Sequence, residues 1–405
     1  MGGETAAARE ELGGKPPMSV PEVIRSPLTL AEMEAWGMYC AARGFSHRVG
    51  PADRFIKRFT EDETATLEQV VTAVRGGVVV GGARLFDRMV WVSDCGGNCS
   101  GGGGGGGGGG YAVRLLGWGE VSSDPDLRGQ GIVGRVLAEL SARMERAAGE
   151  GAPPPRAALG LLHAAPGVAG LYAKFGFSEP GVLRIPYARL RVAWAGGGGG
   201  EPLPAAPRAV PGAPQWRVRR VDFSADAPAL AALREGALAR AGAAGWTLRS
   251  GGYWARWVAN VCRGRAGVLE TEAGGVWAPT AYGFARWREG AFRLMDWAGA
   301  GGLGGGAPLR ALLEALLADA AELAAADPTA PTPADALGGA GTLAVPLALA
   351  ADLAPPGAVL EEDGALRDVG WLVRPLGGAE GTRALEALVA ASERGKFLVL
   401  GADNV

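Results

Sequence analysis

The sequence predicts a mixed α/β protein made of two similar halves. In the first half, a strand at residues 111–121 is followed by a turn with glycines and by the clearest helix of that half, at residues 134–145. The second half repeats this order of strands and helices after a segment rich in Gly, Pro and Ala at residues 196–214. With 12 Trp and 10 Phe, the chain has enough apolar material for two cores of ordinary domain size.

The elements of the first half follow from the local spacing of apolar residues. The helix at residues 134–145 has its apolar side chains on one face, at Val133, Val136, Leu137, Leu140 and Met144. The short helix at residues 166–174 begins with a proline, which is typical of the first helical position. The full order is a helix that begins at Leu28, a helix at 52–59, strands around Val78 and Val90, a strand at 111–121, the helix at 134–145, a strand at 157–162, the helix at 166–174 and a final strand at 182–192.

The second half follows the same outline. Its most regular helix, at residues 309–323, places five leucines on one face, at Leu309, Leu312, Leu313, Leu316 and Leu317. The full order is a strand at 216–221, a helix at 227–240, strands near Val268 and Ala281, a strand at 292–298, the helix at 309–323 and strands at 342–345 and 370–374. We therefore expect a duplicated architecture.

The domain boundaries follow from composition. We predict a mobile tail at residues 1–17, a first domain at 18–195, a linker at 196–214, a second domain at 215–379 and a C-terminal helix and tail at 380–405. Most of the 69 glycines lie in runs such as 101–110, 196–200 and 301–306, without the Gly-X-Y period of collagen. We interpret these runs as spacers without chemical function.

Composition also excludes several classes of function. A formal net charge of −2 argues against nucleic acid as a partner, because binding to phosphate backbones needs a basic surface. No run of about 20 apolar residues is present to cross a membrane, and no signal or transit peptide is recognisable at the N-terminus. Four Cys without a signal peptide fit a reducing compartment, so we expect a cytoplasmic protein, with other intracellular compartments left open.

A resident metal ion is not expected. The two His, His47 and His163, are far apart in the sequence, which makes a His-based metal site improbable. Cys95 and Cys99 enclose Gly-Gly-Asn, and for them free thiols are favoured over a zinc site.

The most informative stretch runs from Val121 to Gly134 and reads VSSDPDLRGQGIVG. It combines the end of a strand, a turn, an arginine, glycines and the start of a helix. The first N–H groups of a helix lack intrahelical partners and lie at the positive end of its dipole. Gly129 and Gly131 let a phosphate approach without a Cβ in the way, and Arg128 adds a permanent positive charge. The stretch predicts a phosphate-binding turn.

This stretch resembles the acyl-CoA-binding signature of the GCN5-related N-acetyltransferases, Arg/Gln-x-x-Gly-x-Gly/Ala, with Arg128 or Gln130 at its first position. The upstream residues Val121-x-Ser123-x-Pro125 and the downstream segment LYAKFGF at residues 171–177 resemble two further family elements in the expected order and spacing. The resemblance covers about residues 18–195. Together with a second domain that has no good cofactor motif, the chain is similar to the tandem-domain enhanced intracellular survival acetyltransferases.

The resemblance implies a function and a site. The first domain would transfer an acetyl group from acetyl-CoA to a primary amine, on a small molecule or a protein lysine, by direct attack in a ternary complex and without a metal. The strand through Val121, Ser122 and Ser123 would splay from its neighbour and pair with the pantetheine, and an N–H near Ser123 would stabilise the oxyanion. The remaining cofactor-binding groups would be those that hold the pyrophosphate: Arg128, Gly129, Gln130, Gly131, Ile132, Val133 and Gly134.

Two residues are candidates for proton transfer. Tyr172 matches the family's general acid, which protonates the departing thiolate, although a tyrosine that packs in the core is the alternative. Glu120 is the nearest candidate for the general base, although it is equally compatible with a solvated charge on a strand. Where the family often has Asn, this chain has Ala165. His163 could substitute for that Asn, but packing of His163 beside the core is the favoured interpretation.

Two alternative functions remain for the chain. A non-catalytic acyl-CoA-binding or scaffold protein is the main alternative. A dinucleotide-binding oxidoreductase is disfavoured, because residues 122–128 separate the strand from Gly129 and the next strand ends in His163 instead of a carboxylate.

The second half should bind no CoA, since residues 298–306 offer glycines without charge. The aromatic residues of the segment YWARW at 253–257 either wall a substrate cavity or, as we favour, pack in the core. The sequence leaves the acceptor and the oligomeric state open.

Overall fold

The computed structural model describes residues 22–45, 52–93, 110–149, 155–165, 167–178, 183, 185–191, 215–262, 265–288, 291–300, 307–324, 342–346, 359–368 and 371–394. The predicted N-terminal tail, the interdomain linker, the pair Cys95 and Cys99 and most of the glycine runs lie outside these residues. Of the helices that are described, none combines the length and the apolar character needed to cross a membrane.

The described chain contains thirteen strands and eight helices. The strands are β1 (Glu22–Arg25), β2 (Val70–Arg75), β3 (Val78–Ser93), β4 (Gly110–Ser123), β5 (Ala157–His163), β6 (Ile185–Arg191), β7 (Trp216–Arg220), β8 (Gly267–Ala273), β9 (Val276–Arg288), β10 (Ala291–Gly299), β11 (Thr342–Pro346), β12 (Val359–Asp368) and β13 (Trp371–Pro375). The helices are α1 (Leu30–Tyr39), α2 (Arg54–Thr60), α3 (Ile132–Ala148), α4 (Ala169–Ala173), α5 (Ala227–Ala241), α6 (Ala259–Cys262), α7 (Ala307–Ala324) and α8 (Ala379–Glu393). Segments Cys40–Gly44 and Tyr253–Val258 are π-helical turns, at the end of α1 and directly before α6.

The strands form two mixed sheets with matching topology. The first sheet has the order β1-β2-β3-β4-β5-β13 and the second the order β7-β8-β9-β10-β11-β6-β12. Within each sheet a single neighbouring pair is parallel, β4 with β5 and β10 with β11, among the strands described. The predicted mixed α/β fold with a duplicated outline is confirmed. A doubly wound parallel sheet, which the dinucleotide alternative requires, is not what these strands form.

Helices cover both faces of the first sheet. Helix α3 buries the predicted apolar face, with Val136, Leu137, Leu140 and Met144 fully enclosed. It packs with alternate residues of β2 and β3, such as Val71 and Ala83. Helices α1 and α2 pack on the opposite face through a separate cluster that includes Val70. The two faces of this sheet therefore have different environments.

The division of strands between the sheets does not follow the order of the chain. Strand β6 lies before the predicted linker but pairs with β11 and β12 of the second sheet. Strand β13 lies near the C-terminus but pairs with β5 of the first sheet. The sequence predicts both strands but places each in the sheet of its own half, and this placement is wrong. Alternating apolar residues predict that a segment is a strand, whereas the choice of a neighbour depends on which sheet edge is open.

The apolar core is also shared between the halves. The largest buried cluster joins Val92 and Leu115 of the first sheet to Trp297 and Leu313 of the second half. Two backbone hydrogen bonds add to this junction: Trp91 N–H donates to the Trp246 carbonyl at 2.9 Å, and Gly245 N–H donates to the Trp91 carbonyl at 2.8 Å. The sequence has the apolar residues for two cores, but the structure joins much of this material into one.

Candidate active site

The first sheet opens where the pairing of its two parallel strands, β4 and β5, ends. Strand β4 pairs with β5 from Arg114 to Trp118, where Trp118 lies opposite Leu162. On its other side β4 continues to pair with β3 as far as Ser123. No residue that the structure describes pairs with the β5-facing edge of β4 over residues 119–123. The predicted splay at Val121, Ser122 and Ser123 therefore corresponds to a backbone edge with unused hydrogen-bonding groups.

The turn after β4 leads into the start of α3. Asp124 caps a 3₁₀ turn by accepting a hydrogen bond from the Asp126 N–H at 2.9 Å. Gly129 and Gly131 have φ angles of 80° and 72°, a left-handed conformation that favours glycine. Gly131 is the N-cap and supplies no side-chain cap, and the first bond of the helix runs from Arg135 N–H to its carbonyl. The N–H groups of Ile132, Val133 and Gly134 have no acceptor within the helix and point towards its N-terminal end.

Arginines surround this helix start. Arg128 is exposed in the turn itself. Arg75 donates a hydrogen bond to the Gln130 side-chain oxygen at 3.0 Å, and Arg135 donates to the Gln130 carbonyl at 3.0 Å. Glu22 forms ion pairs with Arg75 and Arg135 at 3.5 and 2.9 Å. Together with Arg43, which pairs with Asp124 and Asp126 of the same turn, four arginines face three carboxylates, so the net charge is positive, and the dipole of α3 adds to that potential.

A second arginine contact holds the turn against α1. Arg43, in the π-helical turn after α1, forms a two-pronged ion pair with Asp124, with distances of 3.0 and 2.6 Å. Arg43 also contacts Asp126 at 2.8 Å. The turn that carries the glycines is thus fixed at both ends, by α3 and by the segment after α1.

Glu120 lies in a bulge of β4. Gly119 pairs with Arg84 and Ser122 pairs with Gly82, so Ala83 alone faces both Glu120 and Val121. Glu120 has a φ of 56°, and no other non-glycine residue that is described has a positive φ. Its side chain is only 3% exposed. Such backbone strain at a buried charge is typical of functional sites.

The surroundings of Glu120 combine burial with positive charge. Neither carboxylate oxygen has a hydrogen-bond partner among the described residues. Arg58 Nη1 lies 3.7 Å from Oε1, close enough for an ion pair but too far for a hydrogen bond. Burial raises the pKa of Glu120, while the charges of Arg84 and Arg58 act in the opposite direction. The carboxyl group is thus a stronger base than an exposed glutamate.

A buried ion network stands next to this carboxyl group. Arg84, on β3, donates to Asp62 at 2.6 Å and also to the Arg58 carbonyl at 3.2 Å. Arg88 donates to both oxygens of Asp62, at 3.1 and 2.7 Å. The two arginines hold the pKa of Asp62 below its usual value, although burial acts to raise it. Asp62 therefore stays charged and compensates one of the two buried cations.

Sequence reasoning missed these residues. Arg58, Asp62, Arg84 and Arg88 come together only in the folded chain. The available signal was the presence of two arginines four residues apart in a strand that is mostly apolar. Charged side chains on the same face of a buried strand need partners, and this requirement could have indicated a polar site.

The bulge at Glu120 also separates the two candidate proton-transfer residues. Trp118 and Val121 both pack on the α3 face, although an uninterrupted strand would place residues three apart on opposite faces. Glu120 and Ser122 instead face α1, where the Ser122 hydroxyl lies 3.9 Å from Cys40 Sγ. Tyr172, on α4, packs in the α3-side cluster. Glu120 and Tyr172 thus lie on opposite faces of β4.

Tyr172 is almost fully enclosed. It is 8% exposed, and its ring lies 6.4 Å from the ring of Trp118. Burial raises its pKa, so the phenol holds its proton more firmly than an exposed tyrosine. Both a core role and a proton-donor role are compatible with this position.

The structure also places the other residues that the sequence singled out. His163 is exposed at the end of β5 and packs on the ring of Trp371 at 4.9 Å. Ala165 is exposed just beyond it. Tyr253, Trp254 and Trp257 are buried; Trp257 contacts Phe86 of β3, and Arg88 of β3 lies over the rings of Tyr253 and Trp257. These aromatic residues form part of the core between the halves, as the favoured interpretation of the sequence predicts.

The second sheet has a comparable carboxylate with a different environment. Strand β10 carries a bulge at Met295, followed by Asp296. Asp296 pairs with Arg249 at 2.5 Å and accepts a hydrogen bond from the Tyr282 hydroxyl at 3.2 Å. Most of the glycine-rich loop before α7 lies outside the described residues. Unlike Glu120, Asp296 has both an ion-pair partner and a hydrogen-bond donor.

No cluster of three or more His, Cys, Asp or Glu side chains is placed to hold a metal ion in the described part of the chain.

Comparison with known proteins identifies the fold. No protein-family model and no curated protein matches the sequence. Among solved structures, a conserved protein of unknown function from Enterococcus faecalis V583, a probable N-acyltransferase, is 13% identical, with 89% of this chain and 74% of that chain covered and a TM-score of 0.52. A GCN5-related N-acetyltransferase from Kribbella flavida is 18% identical, with 89% and 73% covered and a TM-score of 0.51. Eis1 from Mycobacterium abscessus is 16% identical, with 92% and 76% covered and a TM-score of 0.46.

The first two similarities establish the fold of this chain as that of the GCN5-related N-acetyltransferases. The resemblance inferred from the signature at residues 128–134 is confirmed at this level. At sequence identities below 20%, these similarities support a shared fold and no more. The reaction must therefore be argued from the residues of the site.

Proposed function

We propose that the chain is an N-acyltransferase that transfers the acetyl group of acetyl-CoA to a primary amine by direct attack. The observation that carries this proposal is the open edge of β4 at residues 119–123, which includes Glu120 with its buried carboxyl group and leads into the positive start of α3. A long, extended thioester with a phosphorylated end is the kind of molecule that fits this combination.

The first support for the proposal is the fit to CoA. An extended pantetheine chain can pair with the backbone of Val121, Ser122 and Ser123 in the way that a peptide adds a strand to a sheet edge. The N–H groups from Gly129 to Gly134 can bind the pyrophosphate, and Arg128 can add a charged contact. A Cβ built at Gly129 or Gly134 meets no atom within 4 Å, so the space that a phosphate needs is open.

The second support is the placement of proton-transfer groups on the two faces of β4. In the proposed reaction, Glu120 takes a proton from the ammonium form of the acceptor, and the amine nitrogen then attacks the thioester carbon. The C–N bond forms, the attacking nitrogen loses its second proton to solvent, the C–S bond breaks and the CoA thiolate takes a proton from Tyr172. Glu120 then releases its proton to solvent, and Tyr172 regains one from solvent, so both groups return to their initial state.

The pKa shift of Glu120 suits a general base, whereas the pKa shift of Tyr172 places a condition on its role as an acid. An amine such as lysine has a pKa of about 10.4, far above that of an ordinary carboxylate, and the raised pKa of Glu120 narrows this gap. Arg84 and Arg58 oppose full protonation, so that the group can be ionised when the acceptor binds. Burial also raises the pKa of Tyr172, so the phenol is protonated, but proton transfer to the thiolate then requires that the same enclosure raises the pKa of the thiol as well.

A non-catalytic acyl-CoA-binding protein is the second candidate. The observation that favours it is Ala165, which stands where the related enzymes often have Asn and offers no side-chain hydrogen bond. Such a protein would bind CoA at the same edge of β4 without turning it over.

Thiol release separates the two candidates. The full chain is incubated with acetyl-CoA and a panel of primary amines, and free CoA thiol is measured with a chromogenic disulfide. We expect amine-dependent thiol release, with saturation in both substrates. Binding of CoA by calorimetry without thiol release for any amine would instead support the non-catalytic candidate. A series of longer acyl-CoA molecules in the same assay tests the preference for acetyl.

A further inference from the structure

We infer that the acceptor carries an anionic group beside its amine, as α- and β-amino carboxylates do, and that Arg58 binds this group. The inference rests on the proposed function and adds the chemical class of the acceptor. It starts from the charged residues that surround Glu120.

Arg58 is the exposed member of this charged group. Its side chain is 46% exposed, whereas Arg84 and Asp62 are completely buried and Arg88 is 3% exposed. Cys40, which faces Glu120 from the segment after α1, is also fully buried. The carboxylate oxygens of Glu120 are themselves buried, and Arg58 is the solvent-exposed charged group beside them. An acceptor that approaches from the side of Arg58 meets the guanidinium before its amine reaches Glu120.

The spacing of the two groups sets the size of the acceptor's charged end. Arg58 Nη1 and Glu120 Oε1 lie 3.7 Å apart. Two parallel hydrogen bonds of about 2.8 Å, one from the ammonium to Glu120 and one from Arg58 to an anionic oxygen, require a similar distance of about 4 Å between nitrogen and oxygen in the acceptor. An amine and a carboxylate that are separated by one or two carbon atoms have this spacing.

The charge balance of the reaction favours the same class. Before the acceptor binds, Arg58 and Glu120 form an ion pair, and Arg84, Arg88 and Asp62 lie behind it. When Glu120 accepts the proton of the ammonium group it becomes neutral, and Arg58 loses its partner. A carboxylate on the acceptor replaces that partner at the moment of proton transfer. A polyamine would instead add positive charge to a site that already has an excess of cations.

The outer face of α2 extends this preference. Arg54 and Arg58 lie one helical turn apart, whereas Lys57 beside them is neutralised by its ion pair with Asp53. Arg54 and Arg58 both lie over the ring of Phe55, at 4.8 and 5.7 Å. This positive surface attracts anionic acceptors and repels polycationic ones.

Matched acceptors test the inference. The kcat/KM of the full chain is measured by thiol release for β-alanine and for ethylamine, which lacks the carboxylate, and for glycine and methylamine as a second pair. Spermidine serves as the polycation. We expect the amino acid of each pair to be preferred by about tenfold or more, which corresponds to one charge-assisted hydrogen bond. Spermidine should be the poorest acceptor.

Variants of α2 assign the preference to Arg58. In Arg58→Gln the ratio between the amino acid and its matched amine should fall to about one, and Arg58→Lys should restore part of it, because lysine keeps the charge but not the planar fork. Lys57→Gln is the control, since Lys57 is half exposed and paired with Asp53 at 3.0 Å. It should leave the ratio unchanged. Calorimetry with N-acetyl-β-alanine gives a readout that is independent of turnover, and Arg58→Gln should weaken this binding.

The outcomes distinguish the inference from the proposed function. Thiol release with a preference for ethylamine or spermidine, or an unchanged ratio in Arg58→Gln, overturns the inference and leaves the acyltransferase proposal intact. Absence of thiol release with every amine overturns the proposed function itself. Unaltered thermal unfolding of each variant establishes that the comparison is made between folded proteins.

Discussion

Two features of Glu120, its backbone conformation and its buried carboxylate, lower the stability of the folded protein. A positive φ costs a non-glycine residue of the order of 1–3 kcal/mol, and a buried carboxylate without hydrogen bonds adds a desolvation cost. The fold must supply this energy elsewhere, because no packing contact at this position needs a charged group. A base that acts on an incoming amine is a sufficient reason to keep it.

Replacement of this carboxyl group should therefore reduce activity and increase stability. In Glu120→Gln, kcat/KM should fall by about 10²–10⁴-fold, because the base is lost, while the free energy of unfolding at neutral pH rises by about 1–2 kcal/mol. The assays are thiol release and chemical denaturation. Glu34→Gln on the exposed side of α1 is the control and should change neither quantity.

The stability gain of Glu120→Gln should depend on pH. The folded-state pKa of Glu120 is raised, so below about pH 4, the ordinary pKa of a glutamate, its carboxyl group is protonated in both the folded and the unfolded state. As pH rises from there towards the folded-state pKa, the unfolded state loses this proton first, and the wild-type protein loses stability. The difference in Tm between variant and wild type should therefore be small in acid and grow with pH. A difference that is constant or that shrinks with rising pH would mean that the native carboxylate is stabilised by its arginines.

Tyr172 gives a second prediction at this scale. If it protonates the leaving thiolate, Tyr172→Phe should lower kcat by about 10²-fold or more, with a smaller change in KM for acetyl-CoA. The phenyl ring keeps the contact with Trp118, so Tm should change little. Turnover at the wild-type rate would assign Tyr172 to the core alone.

The role of a residue can be predicted from the sequence when the residues that it acts with are close to it in the chain. Gly129 and Gly131 were recognisable because they follow Arg128 at a helix start. Glu120 was a candidate only by proximity to the motif, since neither its bulge nor its burial is encoded by local spacing. Arg58 and Arg84 were missed because their relation to Glu120 arises from the packing of α2 on β3 and β4.

At the scale of elements, Gly134 at the start of α3 affects helix stability and phosphate binding in opposite directions. A helical glycine is less stable than alanine by about 0.5–1 kcal/mol, and a Cβ at Gly134 would meet no atom within 4 Å. Internal packing therefore does not require glycine here, whereas close approach of a phosphate would.

We predict that Gly134→Ala stabilises the protein but weakens CoA binding. Tm should rise by about 1 °C, in line with the gain of about 0.5–1 kcal/mol in a chain of this length, while the Kd for CoA rises by about tenfold. Thermal denaturation and calorimetry measure the two effects. Gly236→Ala in α5 is the control, since its Cβ would contact only the flexible end of Arg240, and it should stabilise without changing CoA binding. Unchanged CoA affinity in Gly134→Ala would remove the helix start from the binding site.

The success of the sequence at the element scale follows from periodicity. Helix α3 and strand β5 were predicted almost to their ends, because their apolar residues repeat with the periods of a buried helix face and of a buried strand. Strand β12 was missed, since its sequence VLEEDGALRD contains five charged residues and a glycine. Pairing with β6 forms this strand despite its composition.

The whole molecule depends on the exchange of β6 and β13 between the two sheets. Trp371, Leu372 and Val373 are buried beside β5, and each such side chain contributes about 1.5–3 kcal/mol by burial. Which strand covers the edge of β5 could not be predicted from the sequence, because β6 and β13 have similar length and apolar character and only the three-dimensional arrangement distinguishes them.

Neither half should therefore fold alone. A fragment of residues 1–195 lacks β13 and leaves β6 without its partners, so we expect it to show no cooperative thermal transition by circular dichroism. Co-expression with residues 196–405 should restore the transition and yield a stable complex on size-exclusion chromatography. Full-chain Tm in the isolated first fragment would show that the exchanged strands contribute little.

The exchange also sets an order of events during synthesis. Strand β5 is complete at His163, but the strand that covers its outer edge begins only at Trp371. At about 5–20 residues per second, the nascent chain carries this uncovered edge for roughly 10–40 s. An open edge is a template for pairing with other chains, so slow translation of the second half lengthens the exposure of the first sheet to aggregation. The rate of translation of residues 164–375 thus becomes a determinant of the yield of folded protein.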